Sequence, residues 1–195
     1  MRLGYGVGYC CAVLVLAGST LAGSAQMSAM EAKVAPGTAM SPVQAEDELL
    51  NLFEHEFMGV AKAMPADKYS FAPPSTNGAK YEGVRTFAQE ISHVTLANYF
   101  FASKILGEKV PVDPKTINGL TGKDELLKAA GESFAYAHKA IASITPENAY
   151  VAFDGVDGLH TRAVIASFIA AHGYDHYGQM VEYLRMNGIV PPGSK

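Results

Sequence analysis

The stretch LHTRAVIASFIAAHGYDHYGQMVEYLRM, residues 159–186, contains no proline and repeats its apolar side chains at helical spacing. It is followed by Asn187-Gly188 and then by Pro191-Pro192, which are typical signals for the end of a helix. We therefore predict one long helix over this stretch. At about 100° per residue, the face that should be buried carries Ile165, Phe168, Ile169, His172, His176, Gln179 and Tyr183.

Another helix start is recognisable near residue 41. Ser41 at the N-cap, Pro42 at the first helical position and Gln44 three residues after the cap form a capping-box pattern. This first helix is predicted to run to about Met64, because Pro65 follows it. Its apolar side would consist of Leu49, Leu50, Phe53, Phe57, Val60 and Met64.

Two more helices are predicted between these, with long irregular connections around them. The second helix would span about residues 83–106, after a connection at residues 65–82 that is rich in proline. The third begins after Thr121 and carries Asp124 and Glu125 in its first turn, where the helix dipole favours negative charge. The predicted stripes are Phe87, Ile91, Val94, Phe101 and Ile105 in the second helix, and Leu127, Ala130, Phe134, His138 and Ile141 in the third.

The fold class follows from these patterns. No alternation of apolar and polar residues is long enough to build a sheet, so we predict an all-α four-helix bundle over residues 41–192. With 195 residues, 49% of them hydrophobic, the chain can form one domain with a proper core. A net charge of -4 without clusters of Lys and Arg predicts that nucleic acid is not a partner.

The N-terminal residues are predicted to be a targeting segment. Arg2 precedes an apolar run at residues 7–17, and the small residues 23–25 provide a cleavage site. We interpret residues 1–25 as a signal peptide and residues 26–40 as a flexible leader. The mature protein would then be periplasmic or secreted, with no membrane association. Both cysteines lie inside the signal peptide, so the mature chain would contain no thiol.

Three histidines are candidates for a metal site. His172 and His176 lie four residues apart on the predicted buried face of the last helix, so their imidazoles are neighbours. Buried imidazoles need polar partners, and a divalent cation is an effective one. His93 is the third candidate, because Leu96 and Phe100 share its side of the second helix. Periodicity alone leaves an alternative for His93, a boundary histidine hydrogen-bonded to another helix.

The other three histidines have simpler interpretations. His138 shares a stripe with Phe134 and Ile141, and we interpret it as a core histidine satisfied by hydrogen bonds, with a ligand role as the alternative. His55 lies opposite the apolar side of its helix and is predicted to be solvated. His160, at the beginning of the last helix, is predicted to be a terminal or loop residue.

Three segments resemble the DinB-like family of bacterial bundle proteins. HGYDHYGQMVEYLRMNGIVPP, residues 172–192, is similar to the last helix of that family and is the most specific match. AQEISHVTLANYFFASKI, residues 88–105, resembles its second helix, and MPADKYSFAP, residues 64–73, resembles its first connection. The resemblance covers residues 45–192. It implies a four-helix bundle with a long crossover connection and a divalent metal on three histidines.

Carried over to this chain, the metal ligands implied by the resemblance are His93, His172 and His176. Two features depart from the family. Tyr177 stands where relatives often have an arginine, and the predicted export signal contrasts with relatives that look cytoplasmic and, in some cases, use cytosolic thiols.

Three histidine ligands would leave an ion, zinc or nickel, with an open position for water or substrate, as in catalytic rather than closed structural sites. Gln179, Asp175 and Glu90 are the candidates for groups that orient the imidazoles. Gln179 is the best placed by periodicity, whereas acids such as Asp175 and Glu90 are more often ordinary surface residues.

Three hypotheses for function remain open at this stage. The first is a metal-dependent hydrolase, or a transferase that activates a thiol, acting on a small-molecule substrate. The second is a non-catalytic bundle protein that holds a metal or small molecule and would be able to pair as a homodimer. The third is a structural bundle whose histidines are vestigial.

Overall fold

A computed structural model of the chain describes residues 34–75 and 81–194. Among these residues there are four long helices and no extended strand. The long helices are α1 (Pro42–Ala63), α2 (Phe87–Leu106), α3 (Lys123–Ala142) and α4 (Arg162–Met186). The predicted all-α four-helix bundle is therefore confirmed. The connections add a short helix, Pro114–Asn118, which was not predicted, and 3-10 turns at Ala66–Lys68 and Pro192–Ser194.

The order of packing around the bundle explains the long first connection. α1 packs against α3 and α4, and α2 packs against the same two helices. α1 and α2 therefore occupy opposite corners of the bundle, so the connection that leaves Ala63 and enters α2 at Phe87 joins opposite corners. This is the crossover connection that the family resemblance implies.

Two helices begin later than predicted because their caps lie later. α2 begins at Phe87, where the Thr86 hydroxyl accepts a hydrogen bond from the Gln89 backbone N–H and the Gln89 side chain accepts one from the Thr86 backbone N–H. Gly83, predicted as the first residue, has φ +75° and cannot be helical. α4 begins at Arg162 because Thr161 caps it through the backbone N–H of Val164.

Aromatic side chains from α1 and α3 fill the centre of the bundle. The rings of Phe53, Phe57 and Phe134 are fully buried, and their centroids lie 5.4–5.8 Å apart. The predicted apolar stripe of α1 is confirmed except at its edge, where Leu49 is 36% exposed. Leu49 lies at the margin of the stripe, whereas its neighbour Leu50 is fully buried.

Gly173, between the two histidines of α4, sits against α1. A Cβ atom at this position would overlap the ring of Phe53, so only glycine allows the two helices to approach this closely. We expect Gly173→Ala to lower the free energy of unfolding by about 1–3 kcal/mol, because overpacking forces the helices apart. Thermal or urea unfolding, followed by circular dichroism, measures the change.

Gly178 provides the matched control on the same helix. It is exposed and a Cβ there meets no atom within 4 Å. Gly178→Ala should therefore raise stability by roughly 0.5–1 kcal/mol, as helix propensity alone predicts. Equal effects of the two substitutions would contradict the close contact between Gly173 and Phe53.

The predicted signal peptide at residues 1–25 lies outside the described residues, as does most of the predicted leader at residues 26–40. The contacts within residues 37–195 define one unit that contains all four long helices. In the part of the chain that the structure describes, no helix combines the length and apolar character needed to cross a bilayer.

Candidate metal centre

His93 on α2 meets His172 and His176 on α4. One ring nitrogen from each of the three lies within 4.8 Å of those of the other two. The Nε2 atoms of His93 and His172 are 3.2 Å apart, and the three ring centroids are separated by 4.5–5.2 Å. The convergence of the second and fourth helices that a shared cation requires is present.

Glu90 orients the most buried of these rings. Its Oε2 atom lies 2.7 Å from Nδ1 of His176, and the exposed fraction is 1% for Glu90 and 4% for His176. A carboxylate so placed accepts a hydrogen bond from Nδ1–H, which keeps the proton on Nδ1 and leaves the Nε2 lone pair of His176 free to bind a ligand. Glu90 and His93 are three residues apart and so share a face of α2.

The interpretation of Glu90 as an ordinary surface acid is wrong, because its carboxylate is buried against His176. Asp175 is exposed, as expected of a surface acid. Gln179 is half-buried, and its amide donates a weak 3.4 Å hydrogen bond to the carbonyl of Asp175. The closest polar support of the cluster therefore comes from α2 and not from the stripe of α4.

Aromatic rings form a wall beside His172. Phe168, one turn earlier on α4, stacks on the imidazole with a centroid distance of 5.9 Å, and Phe101 of α2 meets it edge-on at 5.8 Å. His93 and His172 remain half-buried, whereas His176 is buried. The cluster thus has a closed side at His176 and a side at His93 and His172 that solvent reaches.

The surroundings keep two of the imidazoles neutral. Burial, followed by the positive charge of Arg85 and the neighbouring imidazoles, lowers the pKa of His93 to about 4. Burial, together with His176, also lowers the pKa of His172. Neutral imidazole is the form that binds transition metals, so both rings are ready to act as ligands near neutral pH.

The nitrogen spacing fits a divalent ion. Two nitrogens bound to one tetrahedral zinc at about 2.0–2.1 Å would lie roughly 3.3 Å from each other. The 3.2 Å between Nε2 of His93 and Nε2 of His172 is close to that value, and it also suits an N–H···N hydrogen bond between neutral rings. Three imidazole nitrogens form a donor set that suits a divalent transition metal.

Arg85 lies beside the cluster and was not singled out from the sequence. It directly precedes the N-cap of α2, its side chain is half-buried, and its carbonyl accepts a 3.1 Å hydrogen bond from the Tyr183 hydroxyl. Its positive charge acts on both His93 and His172. Arg85 lies in an irregular connection outside the predicted apolar stripes, so hydrophobic periodicity does not identify it.

The other histidines lie apart from the cluster. His138 of α3 bridges two carboxylates of α1, with Nδ1 2.6 Å from Asp47 and Nε2 3.0 Å from Glu54. The prediction that hydrogen bonds satisfy His138 is confirmed, but the residue is half-buried and not part of the core. The predictions that His55 is solvated and that His160 lies outside the helix are confirmed, because both are exposed and His160 precedes the cap of α4.

The bridge at His138 should make stability depend on pH. The hydrogen bond to Glu54, followed by that to Asp47, raises the pKa of His138 above its ordinary value. Its stabilising contribution is fully present below the pKa of the unfolded chain, about 6.5, and is lost as the pH rises through the higher folded value. We expect His138→Gln to lower the unfolding free energy by up to about 1 kcal/mol near pH 6, the upper range for accessible ion pairs.

Thermal unfolding of wild type and His138→Gln between pH 6 and pH 9 tests this expectation. The difference between the two proteins should shrink with increasing pH. A difference that stays constant over this range would show that His138 stabilises the bundle by packing alone.

A comparison with known protein families covers the part of the chain that carries the histidine cluster. The model of the DinB superfamily matches residues 49–180, which include all three histidines of the cluster. No curated protein matches the chain.

Proposed function

The chain belongs to the DinB superfamily, and from that premise we propose that it binds one divalent metal ion through His93, His172 and His176. The observation that carries this proposal is the convergence of three ring nitrogens from two helices within 4.8 Å. Zinc and nickel are the proposed ions, because imidazole suits both. A vestigial role would not need a buried carboxylate to orient His176.

The chain's own residues have distinct parts in this proposal. A bound divalent ion supplies Lewis acidity and lowers the pKa of a bound water or thiol. Glu90 holds the proton on Nδ1 of His176 and directs Nε2 toward the ligand position. Phe168 fixes the plane of the His172 ring. The half-buried rings of His93 and His172 are the part of the cluster that a small molecule would approach from solvent.

We propose a metal-dependent hydrolase or thiol transferase as the activity, with a small-molecule substrate. The open side of the cluster supports this reaction class, because a catalytic site needs a position that protein ligands do not fill. The signal-like residues 1–25 support the further proposal that the protein is exported.

One observation favours a second candidate, a non-catalytic protein that binds a metal or small molecule. Glu90, the carboxylate in direct contact with the cluster, is committed to His176 and so is not free to move a proton for a substrate. Among the described residues, no other carboxylate is hydrogen-bonded to any of the three imidazoles.

The two candidates are separated by one set of assays. Chelator-treated protein is titrated with zinc and with nickel, and the proposal predicts one ion per chain. The loaded protein is then assayed with a nitrophenyl ester, and with a thiol plus an electrophilic aryl halide. Activity that requires the ion supports the enzyme, whereas one bound ion without either activity favours the binding protein. Failure to bind either ion would contradict the metal site, and with it the enzyme and the metal-binding form of the second candidate.

A further inference from the structure

An apolar cavity lies where the crossover connection meets the end of α4. It has a volume of about 360 Å³ and is lined by Phe71, Pro73, Pro74, Tyr81 and Met186. This volume is within the range of small-molecule sites. The lining side chains come from the crossover connection and from the end of α4. The cavity can therefore hold the apolar part of a small ligand.

Phe71 connects this cavity to Arg85. The ring of Phe71 packs edge-on against Tyr183 at 5.7 Å, and the Tyr183 hydroxyl is hydrogen-bonded to the carbonyl of Arg85. The carbonyl of Phe71 also accepts the backbone N–H of Phe87, two residues after Arg85. Arg85 thus directly precedes the cap of α2, the helix that carries His93, and its carbonyl is bonded to a tyrosine that packs on the cavity wall.

Arg85 is half-buried, and no described side chain pairs with it. Within residues 34–75 and 81–194 it makes no hydrogen bond or ion pair to any side chain, unlike Arg185, which pairs with Glu182. A partly desolvated guanidinium without a partner is costly, and its planar fork matches an anionic oxygen group.

A bound cation would increase the positive charge at this place. Three imidazole ligands add no negative charge to a divalent ion, and the buried acid nearby is Glu90 alone among the described residues. Asp175, near His172, is exposed and screened by solvent. The ion and Arg85 together therefore leave an excess of positive charge that an anionic ligand would neutralise.

We infer that the ligand of this site is an organic carboxylate with an apolar tail, whose carboxylate pairs with Arg85 beside the metal and whose tail occupies the cavity lined by Phe71 and Met186. This inference rests on the proposed metal site and specifies the class of molecule that the site accepts. Arg85 is a specificity-determining residue in this account.

Hexanoate, acetate and the neutral hexanamide are suitable probes, with binding followed by NMR titration of zinc-loaded and of chelator-treated protein. The carboxylate should favour hexanoate over hexanamide by about tenfold, the size expected for charge-assisted hydrogen bonds. The tail should favour hexanoate over acetate by at least about tenfold. Arg85→Gln should weaken hexanoate binding by about tenfold and remove its advantage over hexanamide.

Arg185→Gln is the matched control, because it removes an arginine next to Met186 that is already paired with Glu182. It should change hexanoate binding by less than about twofold. Zinc content and unfolding are measured for every variant, and Arg85→Gln should still bind one zinc. Equal binding of hexanoate by wild type and Arg85→Gln, or an equal loss in Arg185→Gln, would overturn the inference.

The same measurements separate this inference from the metal proposal. A wild type that binds neither zinc nor nickel contradicts the metal site, whereas hexanoate binding by that protein that depends on Arg85 would still support the anion site. One zinc per chain, with no preference for the carboxylate, would contradict the anion site alone.

Discussion

Replacing His172 with alanine is expected to abolish zinc binding and the stabilisation that zinc provides. A ligand that binds only the folded state adds about 4 kcal/mol to the unfolding free energy at roughly 1,000 times its Kd. For a domain of this size, that corresponds to a rise in Tm of about 8–16 °C. The wild type should show this rise when zinc is added, and His172→Ala should not.

The Tm of wild type and of His172→Ala in chelator shows whether His172 stabilises the protein through the metal or through packing. His172 is half-buried, so its removal has only a modest effect on packing in the absence of metal. His55→Ala serves as the control, because this residue is exposed on α1 and should leave zinc content unchanged. If His172→Ala lowers Tm equally with zinc and with chelator, the residue contributes to packing and not to metal binding.

Glu90→Gln is expected to weaken zinc binding by about 10- to 100-fold, the usual effect of changing a group that orients a metal-bound histidine. Glutamine keeps the shape of the side chain and can still accept the Nδ1–H of His176. It removes the negative charge that makes this imidazole a stronger donor. The expected change is therefore in zinc affinity, measured by competition with a chromophoric chelator.

Unfolding of Glu90→Gln in chelator shows whether the substitution also changes the stability of the metal-free bundle, apart from its effect on the orientation of His176. Glu132→Gln on α3 is the control, since its carboxylate is exposed and pairs only with Lys128 at 3.8 Å. This control should match wild type in zinc affinity. A zinc affinity in Glu90→Gln within twofold of wild type would show that the contact with His176 does not tune the site.

Much of the fold was predictable because its signals are local. The start of α1 is encoded by Ser41, Pro42 and Gln44, and the structure contains the full capping box. The same motif at Thr86 and Gln89 is visible in the sequence, but a predicted start at about residue 83 does not use it. The short helix at Pro114–Asn118 follows an Asp113 cap, but one turn is too brief to show periodicity.

That His172 and His176 are neighbours was predictable for the same reason, because a spacing of four residues places both on one face of a helix. Their meeting with His93 was carried by the resemblance to a family and not by periodicity. Contacts between helices depend on packing that a single sequence does not display. Glu90 pairs with a residue 86 positions away, and His138 with Asp47 91 positions away.

The location of the ion is the most direct test of the account. A crystal structure of zinc-loaded protein, with anomalous data collected at the zinc edge, would show where the metal lies. We predict one peak with nitrogen neighbours from His93, His172 and His176 at about 2.0–2.1 Å. A peak elsewhere on the chain, or a fully loaded protein in which residue 93 does not reach the ion, would contradict it.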